Sequence, residues 1–505
     1  MYFRSTSDKT RRMKKVSLEK YFIGLSKDSI VYGIGNAVLK ILALITAPIF
    51  TRLFVPAEYG IISLVASVIS FISLFLVFGM DNAVFVSFYQ YRKETKVVIS
   101  SAFWFLFFWG LFIIAPASLF STKISLLIFK TSSYRILFII TFWTAYFTLL
   151  INLAKIVFRL EFRAKIFTLV SAINAILVTG LMIFFVVYLK KGLTGYFMGS
   201  LIGTFITMVI ALFFIRKNLK WTISWKRLKE MLLFGAMYVP ASLSFFVFDL
   251  SDRFFLNHYR NLTEIGLYSI GINIASILVF FSFALSQAWS PQVMKMYFSS
   301  KKIYHQFVPR FFVYYLIFFF SLATLVTLFG QEILRVLTTP KFFAAASVIG
   351  PLSLAMVFAA TNQVTSLGIN IARKTKYFAL YTGLAALLNI ILNFMLIPKY
   401  GMVGAGWATM FSYLFLTVAY FINSQRFIFL KIDWQRIFKL ILLSLLVIIL
   451  SPLAWRYSFK VNFLIKILEF GTLILLFYLT SVIEKKEIQY LKIYFLRFIR
   501  KGLSK

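Results

Sequence analysis

Apolar runs of about 20 residues recur from one end of this sequence to the other. Each run is long enough to cross, as a helix, the roughly 30 Å hydrocarbon core of a bilayer. Hydrophobic residues make up 61% of the chain and charged residues only 14%, whereas a soluble domain is nearer 45–50% apolar. The alternating strands of about ten residues that a transmembrane barrel requires are absent from the sequence. The sequence therefore predicts an all-α, polytopic membrane protein.

The apolar runs predict about 14 transmembrane helices, and the segments between them are short. The predicted spans lie near 29–52, 58–80, 97–119, 134–154, 167–189, 193–215, 231–256, 264–289, 308–330, 343–369, 377–397, 402–422, 437–453 and 462–483.

The chain is strongly basic, with 54 Lys and Arg against 16 Asp and Glu, a formal net charge of +38. In a soluble protein this balance would suggest nucleic acid. Here the cations cluster in every second connection between spans, which indicates topology and contact with anionic membrane lipids, with no nucleic acid partner. An even span count with this alternation places both termini in the cytosol of a bacterial or archaeal cytoplasmic membrane.

Two short motifs recur at an offset of about 210 residues. Arg163 and the four residues after it are echoed from Arg373, and Gly192-Leu-Thr-Gly is echoed from Gly401. This spacing predicts two six-helix lobes of the same orientation plus two extra C-terminal helices. The predicted segments are a basic cytosolic tail (1–28), an N-terminal lobe (29–220), a C-terminal lobe (221–425), transmembrane helices 13 and 14 (426–483) and a basic amphipathic tail (484–505).

Lys40 lies near the middle of the first predicted span, where an ionisable side chain costs about 2.5–3.5 kcal/mol on insertion scales. Its helical face is small and polar and includes Asn36 and Thr51. Lys40 is about 11 residues, or roughly 16 Å, from either end of the span, so its amine reaches the interface with difficulty. Two interpretations stay open: Lys40 faces a substrate in a central cavity, or it pairs with an internal carboxylate for structure.

Asp249 is the second deep charge, and it lies in the predicted span equivalent to that of Lys40. Ser242 and Tyr238 lie on its helical face. We expect Lys40 and Asp249 on opposite walls of one cavity, where they either pair when the cavity is empty or act as a charge switch. An ion or proton site at Asp249 is an alternative.

Three charged residues mark the outer ends of the first and seventh spans: Arg52, Asp252 and Arg253. They are interpreted either as a cavity rim or outer gate, or as interfacial anchors with a local ion pair. In the tenth span, Asn362 and Gln363 are suited to sugar hydroxyls and equally to hydrogen bonds between helices.

The sequence lacks the residue patterns that are typical of catalytic and metal sites. It has no cysteine, its two histidines are isolated, and its acids are too dispersed for a catalytic carboxylate pair. A phosphate-binding loop is also missing from the sequence. We therefore predict no metal, no cofactor and no enzymatic activity.

Several of these motifs carry a family likeness. The stretch from Gly35 through Lys40 and Arg52 to Gly60 resembles the start of the Wzx-type polysaccharide flippases, as do Asp252-Arg253 with Glu264-Ile-Gly266, and Gly401 to Gly406. This family belongs to the superfamily that includes multidrug antiporters and lipid II flippases. The resemblance covers essentially the whole chain.

The resemblance implies two lobes around a cationic central cavity, with Lys40 as the carried-over cation. It also implies alternating access and a substrate, undecaprenyl-diphosphate-linked oligosaccharide, that crosses from the inner to the outer leaflet during synthesis of O-antigen, capsule or exopolysaccharide. Polysaccharide polymerase and assembly proteins are possible partners. The alternatives are a multidrug or cation antiporter of the same superfamily and, with less support, a membrane glycosyltransferase or polymerase.

Overall fold

The structure is a computed structural model that describes residues 46–372, 374, 376–450 and 459–484. Every regular element in these ranges is helical. Ten of the described helical stretches are long and apolar enough to cross a membrane. The prediction of an all-α, multi-pass membrane protein is confirmed.

The helices are numbered in chain order from α1, which covers residues 46–53. The next helices are α2 (Pro56–Val77), α3 (Met80–Gln90), α4 (Thr95–Leu119), α5 (Ser121–Phe129), α6 (Arg135–Leu160), α7 (Ala164–Ile183), α8 (Gly192–Ile215), α9 (Trp225–Ala236) and α10 (Val239–Tyr259). They are followed by α11 (Leu262–Ala275), α12 (Ile277–Ser299), α13 (Lys301–Leu328), α14 (Gly330–Leu337), α15 (Ala346–Thr365), α16 (Leu367–Ile371), α17 (Lys376–Phe427), α18 (Trp434–Leu450) and α19 (Phe459–Leu479).

The helices differ from the predicted spans in identifiable places. Most of the span predicted at 29–52 lies outside the described residues. The span predicted at 231–256 is divided into α9 and α10, with Pro240 in the first turn of α10, a position that tolerates the missing amide hydrogen. The two spans predicted at 377–397 and 402–422 form α17, one stretch kinked at Gly401. The total of fourteen stays a prediction.

The chain divides into two compact units, one comprising Met1–Phe54 with Leu64–Leu243 and the other Val55–Ser63 with Ser244–Lys505. In the first unit, α7 and α8 form a tight hairpin. Gly199 and Gly203 of α8 lie against the α7 backbone near Met182 and Val178, where a β-carbon would overlap main-chain atoms. Small residues permit this close approach.

The second unit contains a large apolar core between α13 and α15, in which Phe319, Phe320 and Leu354 are buried. Its helix α17 repeats the pattern of the α7–α8 hairpin. Gly404, Ala408 and Ser412 are buried at the four-residue spacing that the glycines of α8 also show. The repeated motif glycines match in backbone conformation, since φ is 52° at Gly192 and 56° at Gly401.

Candidate functional site

A buried carboxylate lies at the centre of a polar cluster in the second unit. Asp252 of α10 is 1% exposed. It accepts hydrogen bonds from the Tyr268 hydroxyl of α11 and from two groups of α17, the Asn393 amide (2.6 Å) and the Thr409 hydroxyl (2.8 Å). Three donors from two other helices thus converge on one side chain. A buried charge requires such partners because isolated burial is costly.

A second layer of amides and hydroxyls surrounds this carboxylate. Ser251 donates to the side-chain oxygen of Asn389 (2.8 Å), and the Asn393 amide also lies 2.9 Å from that oxygen. Asn389 and Asn393 are fully buried one turn apart on α17. The side-chain oxygen of Asn393 is buried without a hydrogen-bond partner.

The kink in α17 brings Asn393 and Thr409, which lie on either side of it, to the same carboxylate. Gly401 has φ 56° and ψ −136°, a conformation that favours glycine. Arg260 donates to the carbonyls of Ile397 (3.2 Å) and Pro398 (2.9 Å), which the kink frees. Glu264 accepts from the amide of Met402 (2.8 Å). The backbone groups on both sides of the kink are therefore bonded by Arg260, between α10 and α11, and by Glu264, in the first turn of α11.

This arrangement has the chemistry of a proton or monovalent-cation site. Its ligands would be oxygens: a carboxylate, an amide oxygen and hydroxyls, which suit hard cations. Within the described residues there is no group of three or more His, Cys, Asp or Glu side chains close enough to hold a metal ion.

The structure describes only part of the site predicted from the sequence. Lys40 and Asn36 lie outside the described residues, as does the side chain of Asp249, although its backbone belongs to α10. Ser242 is half-buried near the start of α10, and Tyr238 is exposed in the break before it, with its ring 5.5 Å from that of Phe234. The interpretation of these residues as one substrate-binding face stays a prediction.

The three residues interpreted as a rim have different surroundings. Arg52 is exposed at the end of α1. Arg253 is half-buried and its Nε donates to the Ser63 hydroxyl (2.7 Å). Asp252 is buried in the cluster described above. Their assignment to an outer gate stays a prediction, and no sequence pattern indicates that Asp252 is buried.

The polar pair of the tenth predicted span lies on α15. The side-chain oxygen of Asn362 accepts a hydrogen bond from the Thr417 hydroxyl of α17 (2.9 Å). Asn362 therefore makes a hydrogen bond between helices, which is one of the two roles that the sequence suggests for it. Gln363 is exposed. Contact of either residue with a sugar stays a prediction.

Comparison with known proteins assigns the chain to a family. A family model described as "Polysaccharide biosynthesis protein" matches residues 49–345, which is more than half of the chain. The chain belongs to this family. The likeness to polysaccharide flippases that the sequence motifs indicated is confirmed.

The curated relatives match over limited segments. The probable low-salt glycan biosynthesis flippase Agl15 of Haloferax volcanii is 24% identical over 259 residues, covering 49% of this chain and 53% of that protein. The chain spans between 38 and 53% of the length of the curated relatives it matches.

Solved structures show the fold of this member of the polysaccharide biosynthesis family. The lipid II flippase MurJ in an inward closed conformation has a TM-score of 0.72 at 18% identity, covering 90% of this chain and 100% of that one. An inward-facing multidrug resistance transporter of the MATE family has a TM-score of 0.64 at 13% identity, with 77% and 93% coverage. Both likenesses show a common transporter fold.

The family member also contains a buried ion pair that sequence analysis missed. The Lys466 ammonium of α19 lies 2.7 Å from both carboxylate oxygens of Glu332 on α14, and Lys466 is fully buried. The available signal was a lysine within the last predicted span, four residues after its start. Its partner lies 134 residues earlier in the chain, so the sequence could not pair them.

Proposed function

We propose that this protein is a flippase for undecaprenyl-diphosphate-linked oligosaccharide, which it moves from the inner to the outer leaflet of the cytoplasmic membrane by alternating access. The moved repeat units would serve the synthesis of a surface polysaccharide. The observation that carries this proposal is the family match over residues 49–345. The fold shared with a lipid II flippase supports it, as does the similarity to a probable glycan biosynthesis flippase.

The chemistry of such a headgroup fits the charges of the chain. A diphosphate cannot cross hydrocarbon unaided and requires cationic partners in a wet path. We propose Lys40 as a cationic contact for the diphosphate, with Asn36, Ser242, Tyr238 and Asp249 around the substrate. The polyprenyl chain would stay in the membrane.

Two sources of energy are compatible with this proposal. An inside-negative potential favours outward movement of negative charge by about 2.3 kcal/mol per charge per 100 mV. Alternatively, Asp252 binds and releases a proton or cation during the cycle. In proteoliposomes, a flipping rate that survives collapse of the potential but falls with the ion gradient would favour Asp252.

The second candidate function is a multidrug or cation antiporter, favoured by the enclosed Asp252 cluster and by the fold shared with a MATE transporter. Internal acids suit cationic drugs. The two candidate functions differ in the charge of the substrate, which is negative for the flippase and positive for the antiporter.

The test is deletion of the gene followed by complementation. We expect the deletion strain to lose surface polysaccharide and to accumulate lipid-linked oligosaccharide on the cytosolic side. The wild-type gene and Lys301→Gln, a control at an exposed position of α13, should restore export, whereas Lys40→Gln should not. Unchanged polysaccharide together with new sensitivity to cationic drugs would favour the antiporter instead.

A further inference from the structure

An aromatic groove in the first unit lies outside the site described above. It is formed by α4, the segment before α9, and α9 itself, and its volume is about 450 Å³. Its lining includes Trp104, Phe108, Trp109, Phe112, Trp225 and Leu228. Phe108, Phe112 and Trp225 are more than half exposed, so the groove is an open apolar surface.

Hydrogen bonds fix the segment before α9 against α4. The Trp104 indole donates to the carbonyl of Lys220 (2.9 Å), and the Lys220 amide donates to the Ser100 hydroxyl (2.8 Å). The Ser224 amide donates to the Ser101 hydroxyl (2.9 Å). These bonds hold one wall of the groove in place before any ligand binds.

Two of the three indoles that line the groove donate their N–H groups to backbone carbonyls. Trp104 stacks on Trp221 with ring centroids 4.2 Å apart, while its N–H is bonded to Lys220. The Trp109 N–H donates to the carbonyl of Phe75 (2.8 Å). These two side chains therefore offer their hydrocarbon faces to an occupant, which suits a lipid chain.

A charged cluster around Arg227 holds α9 and contains two acids. The Arg227 guanidinium lies 3.7 Å from the centroid of the Tyr91 ring, and its Nε donates to Glu94 (2.9 Å). The Tyr91 hydroxyl donates to Glu230 (2.7 Å). The hydrogen bond from Arg227 lowers the pKa of Glu94, and the one from Tyr91 lowers the pKa of Glu230. Both acids thus stay ionised at neutral pH and face Arg227.

Three lysines lie on the segments that form the α9 side of the groove. Lys220, Lys226 and Lys229 are exposed. The backbone carbonyl of Lys220 accepts the hydrogen bond from the Trp104 indole. Lys226 and Lys229 are next in sequence to the lining residues Trp225 and Leu228. An apolar concave surface with a positive edge complements a molecule with a hydrocarbon chain and a negative headgroup.

We propose that this groove is a binding site for an anionic phospholipid, with an acyl chain along the aromatic wall and the phosphate at the lysines. An ordinary interfacial belt of aromatic residues would hold lipids without regard to headgroup charge. The proposed site is selective, and it is independent of the transported substrate.

The test is native mass spectrometry of the full-length protein released from nanodiscs that contain equal amounts of phosphatidylglycerol and phosphatidylcholine. We expect the wild type to retain phosphatidylglycerol about tenfold over phosphatidylcholine. Lys226→Gln with Lys229→Gln should bring the two lipids near parity, and Phe108→Ala should lower retention of both. The matched controls are Lys301→Gln with Lys302→Gln, and Phe394→Ala, which lie at exposed positions of α13 and α17.

Three results would overturn the proposal. The first is equal retention of the two lipids by the wild type. The second is an equal loss of preference in the α9 and α13 lysine variants, which would indicate attraction by net charge alone. The third is displacement of phosphatidylglycerol by stoichiometric undecaprenyl phosphate, which would assign the groove to the polyprenyl lipid. If Phe108→Ala fails to fold, the lysine variants alone decide the outcome.

Discussion

At the residue scale, Asp252 is a charged residue that a sequence motif identifies, but its hydrogen-bond partners include residues from distant parts of the chain. Its motif, Asp252-Arg253, was visible in the sequence. Its partners Asn393 and Thr409 lie 141 and 157 residues away. The sequence predicts the acid at the end of a span. The burial of its carboxylate and the three hydrogen bonds it accepts depend on tertiary packing, which no local sequence pattern encodes.

The first prediction concerns the charge of this cluster. Asp252→Asn keeps the shape of the side chain and removes its negative charge, so a bound proton or cation loses its ligand. We expect transport to fall at least about tenfold, with the melting temperature changed by a few degrees at most. Transport and thermal unfolding are measured on the same purified variants.

Asp81→Asn is the control for this prediction, because Asp81 is exposed on α3. Transport by Asp252→Asn equal to that of the control would assign the cluster a structural role.

The second prediction concerns the kink. Gly401→Ala introduces a β-carbon where the Glu264 carboxylate lies, at a φ of +56°. The left-handed conformation alone costs a residue other than glycine roughly 1–2 kcal/mol, and displacement of Glu264 adds to this cost. We expect a clearly lower melting temperature.

Gly383→Ala is the matched control, because a β-carbon there meets only the Ser244 hydroxyl, at 3.9 Å. A melting temperature for Gly401→Ala as high as that of the control would contradict the account of the kink.

At the element scale, glycine motifs were the most informative part of the sequence. Gly192 and Gly401, paired by the repeat, both adopt positive φ. Likewise Gly60 and Gly266, which follow equivalent Glu residues, lie at close backbone contacts, Gly60 against Leu262 and Gly266 against Pro56. The sequence does not predict the hydrogen-bond partner of each polar group. One example is the Glu264 carboxylate, which accepts a hydrogen bond from the backbone amide of Met402.

The third prediction concerns the Lys466–Glu332 pair, which fastens α19 to α14. Glu332→Gln removes the carboxylate that contacts the buried ammonium of Lys466, and the loss of one partner of a buried pair costs about 3–5 kcal/mol. We expect a large fall in thermal stability, substantially recovered in the double variant Glu332→Leu with Lys466→Met. Circular dichroism melts in detergent measure both.

Glu484→Gln is the comparison, because Glu484 pairs with Arg436 at the surface and its side chain is 52% exposed. Exposed pairs contribute about 0–1 kcal/mol. If the Glu332→Gln variant has the same melting temperature as Glu484→Gln, the buried pair does not stabilise the packing of α19 against α14.

At the scale of the whole molecule, charge alternation predicts which connections face the cytosol. The chain has no cysteine, so single cysteines report topology without background. Ser132 precedes α6 and is expected outside, whereas Ser299 ends α12 and is expected in the cytosol.

The fourth prediction is that an impermeant maleimide labels Ser132→Cys in intact cells and labels Ser299→Cys only after the cells are opened. The reverse labelling would invert the topology, and labelling of both in intact cells would contradict the alternation.

The class of fold and the family were accessible from the sequence because span-length hydrophobicity and ordered glycine motifs are properties of the chain itself. The enclosed Asp252 cluster and the aromatic groove were not, since each is assembled from segments more than 100 residues apart in sequence.

The most direct test of the proposed function is a translocation assay in proteoliposomes with purified protein and a diphosphate-linked oligosaccharide whose arrival in the opposite leaflet is read by a membrane-impermeant glycosidase. We expect protein-dependent translocation that Lys40→Gln abolishes and Lys301→Gln leaves unchanged. Translocation no faster than in empty liposomes, with uptake of cationic drugs by the same preparation, would contradict the proposed function.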